Sequence, residues 1–319
     1  MFDVKKALAK GAMLAPLAGF SDFAFRDICM ECGASACVSE MISAKGLYYK
    51  DKKTKEMLKF TDKQRPFGIQ IFGSDPLIMA IAADMVMTYD PDFIDINMGC
   101  PTPKITKNGD GSALMQNPKL AYEVAKAVTK ATSVPVSVKI RAGYTNDNIN
   151  ASEVAKYLED AGVSFLTIHG RTREQMYSPP VNLKVIEDVA NAVTIPVVGN
   201  GDVKNYEDFC KMKSLGVCGV MIGRGAIGNP FLFSEIKQKL AQQSFKKPIL
   251  EDKIEMAIHQ FSLMSECYPE KMAVLMARSQ LIMYFKGAFN ASHLKVAINK
   301  ATSKEEIISL LNEIKNSPK

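Results

Sequence analysis

One pattern recurs eight times in the first 240 residues, and it leaves few folds open. Each repeat is a short apolar run, a polar or glycine exit, and then an amphipathic helical stretch. The apolar runs are Ala12–Ala15, Ala34–Ser39, Phe67–Phe72, Phe93–Ile96, Val134–Ile140, Phe165–Ile168, Ile195–Val198 and Val217–Ile222. They are too short for helices and nearly continuous in apolar character, as strands buried on both faces are. Helix-like segments lie between them, among them Pro76–Tyr89, Pro118–Ala131, Ala151–Ala161 and Leu183–Asn191. Pro76 and Pro118 each follow an Asp or Asn, the order expected of an N-cap and a first helical position. Gly162 and Gly216 stand where helices end and strands begin. An open doubly wound sheet would carry a Gly-x-Gly-x-x-Gly turn after its first strand, but that exit reads Pro16-Leu17-Ala18-Gly19. Eight β-then-α units predict a closed barrel of parallel strands with helices outside.

The pattern stops near residue 240. Residues 241–248 (AQQSFKKP) read as a linker, and no strand-like run follows. Lys253–Cys267, Lys271–Lys286, Ser292–Ala301 and Lys304–Ile314 have helical apolar spacing. The expected fold class is therefore α/β: a (β/α)8 TIM barrel over residues 1–240 with a small all-α domain over 241–319. That tail is slightly basic, carrying Lys253, Lys271, Arg278, Lys286, Lys295 and Lys300.

Charge and cysteine content narrow the setting. A net charge of +6 permits a polyanionic partner without requiring one. No apolar run is long enough to span a bilayer, and Met1–Lys10 is charged and lacks the apolar centre of a leader. The expected location is cytoplasmic, with no membrane partner. The seven cysteines have no disulfide-framework spacing, which fits a reducing compartment. Cys29-x-x-Cys32 has no second pair at ligand spacing and falls in a helical stretch, so no metal site is expected.

In such barrels the active site is built at the C-terminal ends of the strands. The fourth run leads into Asn97-Met98-Gly99-Cys100-Pro101, which places Cys100 on a constrained loop at a strand exit. A buried structural thiol is the alternative reading of that cysteine. The other exits carry Pro16 to Ala18, Glu40, Gln70, Lys139 with Arg141, and His169 with Arg171 and Arg173. The last two are Asn200-Gly201-Asp202 and Gly223-Arg224-Gly225. Glycines there let backbone N–H groups approach a phosphate, and Arg224 can pair with it. An amide (Gln70) and a cation (Lys139) suit the edge of a flat heteroaromatic ring that takes up negative charge. Together these describe a site for flavin mononucleotide, whose chemistry is hydride transfer. Each residue alone has a structural alternative; their convergence on one end of consecutive strands carries the reading.

These residues resemble the tRNA-dihydrouridine synthases of the bacterial B type. The matching motifs are Ala15-Pro16-Leu17-Ala18-Gly19 with Ser21-Asp22, Ser39-Glu40-Met41, Gln70-Ile71-Phe72-Gly73 and Asp95 to Pro101. They continue through Val138-Lys139, His169-Gly170-Arg171-Thr172-Arg173, Asn200-Gly201-Asp202 and Gly223-Arg224-Gly225. The resemblance implies FMN held by Pro16, Leu17, Ala18, Gln70, Lys139, His169, Asn200, Gly201, Asp202, Gly223, Arg224 and Gly225. It implies NADPH as reductant, tRNA as partner, and reduction of the C5–C6 bond of particular uridines, with the D-loop as the expected place. Cys100 would give the proton to C5, and Asn97 would position the uracil. Glu40, Arg141, Arg171, Arg173, Arg278 and Lys286 would complete the RNA contacts, the arginines as a basic rim. A monomer is the default expectation. The chain departs from the family at Ser178-Pro179-Pro180-Val181-Asn182 and at Arg278-Ser279-Gln280, where many members have Arg-Lys-His. A small-molecule FMN barrel and a non-catalytic flavin-retaining RNA-binding protein are the rival functions. The basic tail counts against the first and Cys100 against the second.

Overall fold

The computed structural model describes residues 2–287 and 291–316. Among them are nine strand segments: β1 Met13–Leu14, β2 Ala36–Val38, β3 Ile42–Ser43, β4 Phe67–Phe72, β5 Phe93–Met98, β6 Val136–Arg141, β7 Phe165–His169, β8 Val197–Asn200 and β9 Gly219–Ile222. Every pairing is parallel, and β1 pairs with both β2 and β9, which closes the sheet. The nine segments make eight staves, because β2 and β3 both pair with β4, at Cys37↔Phe67 and Ile42↔Ile71.

The break between β2 and β3 lies beyond the single run expected at Ala34–Ser39. Its cause is Ser39, whose Oγ accepts the Gln70 N–H at 2.9 Å while its own N–H donates to the Gly68 carbonyl. A side chain thus replaces a backbone ladder partner, and the strand bends at Glu40 before resuming.

The strands look uniformly apolar in sequence, yet their inward residues change character along each stave. Low in the barrel, Met13, Ala36, Phe93, Phe165, Val198 and Met221 form one apolar cluster, with Phe2 packed against it. Phe2 stacks on Phe93 at 4.7 Å, and Phe93 meets Phe165 edge-on at 5.5 Å. Gly68 lies beside this floor because a Cβ there would overlap the Phe93 ring. Higher up, alternate residues become Asp95 and Asn97 on β5, Lys139 and Arg141 on β6, and Thr167 and His169 on β7. The outward residues, such as Ile94, Ile96, Val138 and Ile168, join the larger core under the helices.

The outer helices begin where sequence chemistry expects. Asp22, Asp75 and Asn117 accept the N–H groups of Phe25, Ile78 and Leu120 at 2.9, 3.0 and 3.1 Å. After the last barrel helix, Phe231–Leu240, the chain runs without regular structure to Leu250–Cys267. That helix packs with Glu270–Gln280, the 3-10 turn Leu281–Phe285, Ala291–Lys300 and Lys304–Asn316. These helices share their own core, including Ile254, Phe261, Leu281, Ile298 and Leu311, which Ala24 of a barrel helix joins. The stretch expected as one helix, Lys271–Lys286, thus tightens into a 3-10 turn at its end.

Candidate functional site

The turn bearing Cys100 is built by side chains around it. Asn97 Oδ1 accepts from the N–H groups of Gly99 (3.1 Å) and Cys100 (2.8 Å), folding the chain back at the strand exit. Ser112 Oγ donates to the Cys100 carbonyl at 2.8 Å, and Arg141 Nε to the Gly99 carbonyl at 2.6 Å. Gly111 sits under the loop at φ 62°, where a Cβ would lie 3.1 Å from the Cys100 carbonyl oxygen. The thiol itself is partly exposed and reaches Thr102 Oγ1 at 3.4 Å. It is therefore available to a ligand and not part of the core. By contrast Cys29, Cys32 and Cys37 are buried, and burial pushes the Cys32 and Cys37 thiols up to about 12.

Beneath Asn97 runs a buried amide chain. Asn97 Nδ2 donates to Gln70 Oε1 (2.8 Å), Gln70 Nε2 to Asp95 Oδ2 (2.6 Å), and Ser137 Oγ to Asp95 Oδ1 (2.5 Å). Burial raises the Asp95 carboxyl above its ordinary range, while these donors pull it back. Asp95 and Ser137 were not among the expected site residues. Their alternation with the apolar residues of β5 and β6 is the signal that marks them.

Lys139 stands beside Thr167 across the β6–β7 ladder. Burial, and then the charge of Arg141, hold its ammonium down to about 8. Among the described residues the ammonium makes no hydrogen bond or ion pair, and the buried Thr167 Oγ1 has no partner either. A cation and a hydroxyl without partners at the mouth of a barrel fit an anionic, acceptor-bearing ligand.

His169 is neutral, because burial lowers its pKa well below the ordinary 6.5 and nearby Lys139 and Arg141 lower it further. Asn200 Nδ2 donates to the Met221 carbonyl at 2.8 Å, so Asn200 Oδ1 faces His169 Nδ1 at 2.9 Å. That places the imidazole proton on Nδ1 and leaves the Nε2 lone pair toward Arg171, 3.5 Å away.

The arginines correct the picture of a solvent-facing rim. Arg141 and Arg171 are only 4% and 2% exposed. Arg141 donates to carbonyls of Gly99, Thr172 and Met176, so it ties the Cys100 loop to the loop after β7. Arg171 pairs with Asp202 and donates to the Pro179 carbonyl. Asp202 also takes Arg224 at 3.1 Å and the Val181 N–H at 3.0 Å, so its carboxylate holds two arginines and faces no anion. The half-exposed Arg224 packs on the Tyr177 ring at 4.6 Å, and Arg173 lies over Tyr144 at 5.3 Å. Both tyrosines lay outside the expected set.

The glycine exits pack closely against neighbouring loops. A Cβ on Gly223 would lie 3.4 Å from Leu17 and 3.6 Å from Ala15, so the exits of β9 and β1 adjoin. Gly225 passes so close to the Val203 carbonyl that no Cβ fits, and Gly201 has φ 134°. Pro16 and Leu17 are half-buried and Ala18 is exposed. Glu40 faces this loop, its Oε1 accepting the Gly19 N–H at 2.5 Å. Away from the mouth, half-buried Arg278 lines a cleft of about 570 Å³ with Glu270, Lys271, Thr302 and Ser303. Its guanidinium donates to the Ala301 carbonyl at 2.8 Å, and Nε has no partner among the described residues. Lys286 is exposed.

A closed parallel barrel whose strand ends gather a partly exposed thiol, a buried amide chain and an ammonium with no hydrogen bond or ion pair among the described residues has the architecture of a barrel enzyme. The family model "Dihydrouridine synthase (Dus)" matches residues 13–318. The chain is 37% identical over 292 residues to a probable tRNA-dihydrouridine synthase of Treponema pallidum, covering 88% of this chain and 86% of that one. It is likewise 37% identical over 295 residues to tRNA-dihydrouridine synthase B of Vibrio parahaemolyticus, covering 92% and 91%. The solved structure of TcOYE with pHBA shares the barrel at TM-score 0.56 and 12% identity, over 77% of this chain and 92% of that one. The chain belongs to the dihydrouridine synthase family and is an oxidoreductase of that class.

Proposed function

We propose that this protein is an FMN-dependent tRNA-dihydrouridine synthase that reduces the C5–C6 bond of uridines in the D-loop, with NADPH as reductant. The observation that carries this reading is the partly exposed Cys100 thiol, on a loop whose backbone Asn97, Ser112 and Arg141 hold, at the same mouth as the Lys139 ammonium, which makes no hydrogen bond or ion pair among the described residues. The donor set fits FMN: among the described residues the Lys139 ammonium and the Thr167 hydroxyl have no hydrogen-bond partner, and Gly223 adjoins Leu17 where the β9 and β1 exits meet. Leu17, Gln70 and Lys139 would line the ring, and Asn200, Arg224 and the glycines would hold the phosphate end. Bound FMN, reloaded by NADPH, supplies the hydride that C6 of the uracil accepts.

The chain's own task is then to place the uracil and supply one proton. Cys100 donates that proton to C5 and recovers one from solvent, so the base gains two hydrogens in all. A protonated thiol suffices for this, and the Asn97 clamp on two successive N–H groups fixes the backbone that carries it at the strand exit. Arg141 and Arg171, being buried, would act by holding the Cys100 and Asp202 loops. Arg173 and the helical domain remain for the RNA phosphates. A base inside a folded tRNA cannot reach a barrel mouth, so the target uridine must be extruded. The cleft at Arg278 and the exposed Lys271 and Lys286 offer contacts for the RNA backbone, which makes binding salt-sensitive. A monomeric cytoplasmic enzyme is in keeping with this.

The test uses purified protein, FMN, NADPH and unmodified tRNA, read by mass spectrometry of the nucleosides. The reading expects dihydrouridine at defined positions with wild type and a severe loss with Cys100→Ala. Turnover of free pyrimidines with inert tRNA would overturn it in favour of a small-molecule reductase.

A further inference from the structure

A buried chain of hydrogen bonds runs from the helical domain into the loop after β1. Tyr284 Oη donates to Gln260 Oε1 (2.6 Å), and Gln260 Nε2 donates to Gln280 Oε1 (2.6 Å). Gln280 Nε2 then donates to both Asp22 Oδ2 (2.6 Å) and the Gly19 carbonyl (3.1 Å). Gln260, Gln280, Tyr284 and Asp22 are all 3% exposed or less. Each amide is oriented by the next partner, so the chain has one direction and ends on the carboxylate.

The loop it reaches lies outside the ladder of the barrel and depends on such contacts for its shape. The Gly19 peptide is gripped from both sides: its N–H by Glu40 at 2.5 Å, its carbonyl by Gln280. Ser21 Oγ accepts the Leu17 N–H at 2.7 Å, and the Phe23 N–H donates to Tyr268 Oη of the helical domain at 3.4 Å. A second contact backs the opposite wall. Gly228, on the turn after Gly223-Arg224-Gly225, lies so close to the Met283 carbonyl that no Cβ fits between them. The helical domain thus stands directly behind the exits of both β1 and β9.

We infer that the helical domain is a structural part of the cofactor site as well as an RNA contact, and that Gln280 is the positioning residue that shapes Pro16–Gly19 to receive FMN. This rests on the flavin reading above. Removing the Gln280 amide leaves the Asp22 carboxylate and the Gly19 carbonyl without their shared donor, and frees the loop on one side.

The experiment titrates flavin-stripped full-length protein into FMN and follows quenching of flavin fluorescence, with thermal unfolding measured in parallel. Gln280→Leu keeps the volume and removes the donor; Gln280→Glu keeps the shape and turns an acceptor toward Asp22. Both should weaken FMN about tenfold or more. Tyr284→Phe, which removes only the far hydroxyl, should fold and weaken FMN by a few-fold. A lower Tm with wild-type FMN affinity in the folded variants would show a purely structural role and overturn the inference. A wild-type chain that binds no FMN would overturn the flavin reading and this inference with it.

Discussion

The two ends of the barrel use the same strands for opposite purposes. On β5 the inward sequence is Phe93, Asp95, Asn97; on β7 it is Phe165, Thr167, His169. The floor is closed by stacked rings, with Phe2 and Phe93 at 4.7 Å. The mouth is a hydrogen-bonded amide and carboxylate chain beside which, among the described residues, the Lys139 ammonium and the Thr167 hydroxyl make no hydrogen bond. Stability and chemistry are thereby separated along a few residues of strand. The floor gains free energy from packing, whereas the mouth keeps polar groups in an environment that penalises them until a ligand arrives.

That contrast can be broken or sharpened by substitution. Cys100→Ala should cut dihydrouridine formation by roughly 10²–10⁴-fold, the usual worth of a positioned acid, and leave Tm and FMN affinity near wild type. A loss of folding instead would make the thiol structural and erase the distinction. Phe93→Ala should do the reverse, costing about 3–5 kcal/mol of stability in denaturant unfolding through the cavity it leaves. The folded fraction should keep its FMN affinity.

Lys139→Met should weaken FMN about tenfold while leaving the flavin-free protein as stable as wild type or more so, since it removes a desolvated ammonium that makes no ion pair among the described residues. The pH dependence follows with a definite sign. In the free protein the Lys139 ammonium titrates at about 8 instead of the ordinary 10.5. FMN affinity should hold below pH 8 and fall above it, as the ammonium that donates to the ring edge is lost. Stability of the flavin-free chain should instead rise between pH 8 and 10.5, where the unfolded state binds the extra proton. Lys139→Met should flatten both curves, and calorimetric titration at several pH values reads them. The smallest effect belongs to Arg278→Ala, expected to weaken tRNA a few-fold and lower the salt slope by about one, with no change in FMN affinity. A salt titration of binding would decide it, since an unchanged slope removes Arg278 from the RNA surface.

The eight-fold β-then-α order was legible because short continuous apolar runs, N-cap residues and C-terminal glycines are local signals. The strand exits followed from it, so Cys100, Gln70, Asn97, Lys139 and His169 could be assigned to one mouth from residue order alone. Period-two alternation within those runs also marks Asp95 and Ser137, which the apolar reading passed over.

Tertiary packing decided which polar groups are engaged and which are left open. Arg141 and Arg171 look like any rim arginines in the sequence. Only folding carries their guanidiniums onto carbonyls of the Cys100 loop, the loop after β7 and the Asp202 carboxylate. Asp202 likewise becomes an anchor for arginines because the β7 and β8 exits meet. Gln280 and Asp22 are 258 residues apart, and nothing local predicts their 2.6 Å contact. Propensity and spacing act over a few residues, whereas hydrogen-bond partnership in a closed barrel is set by which exits and domains the closure brings together.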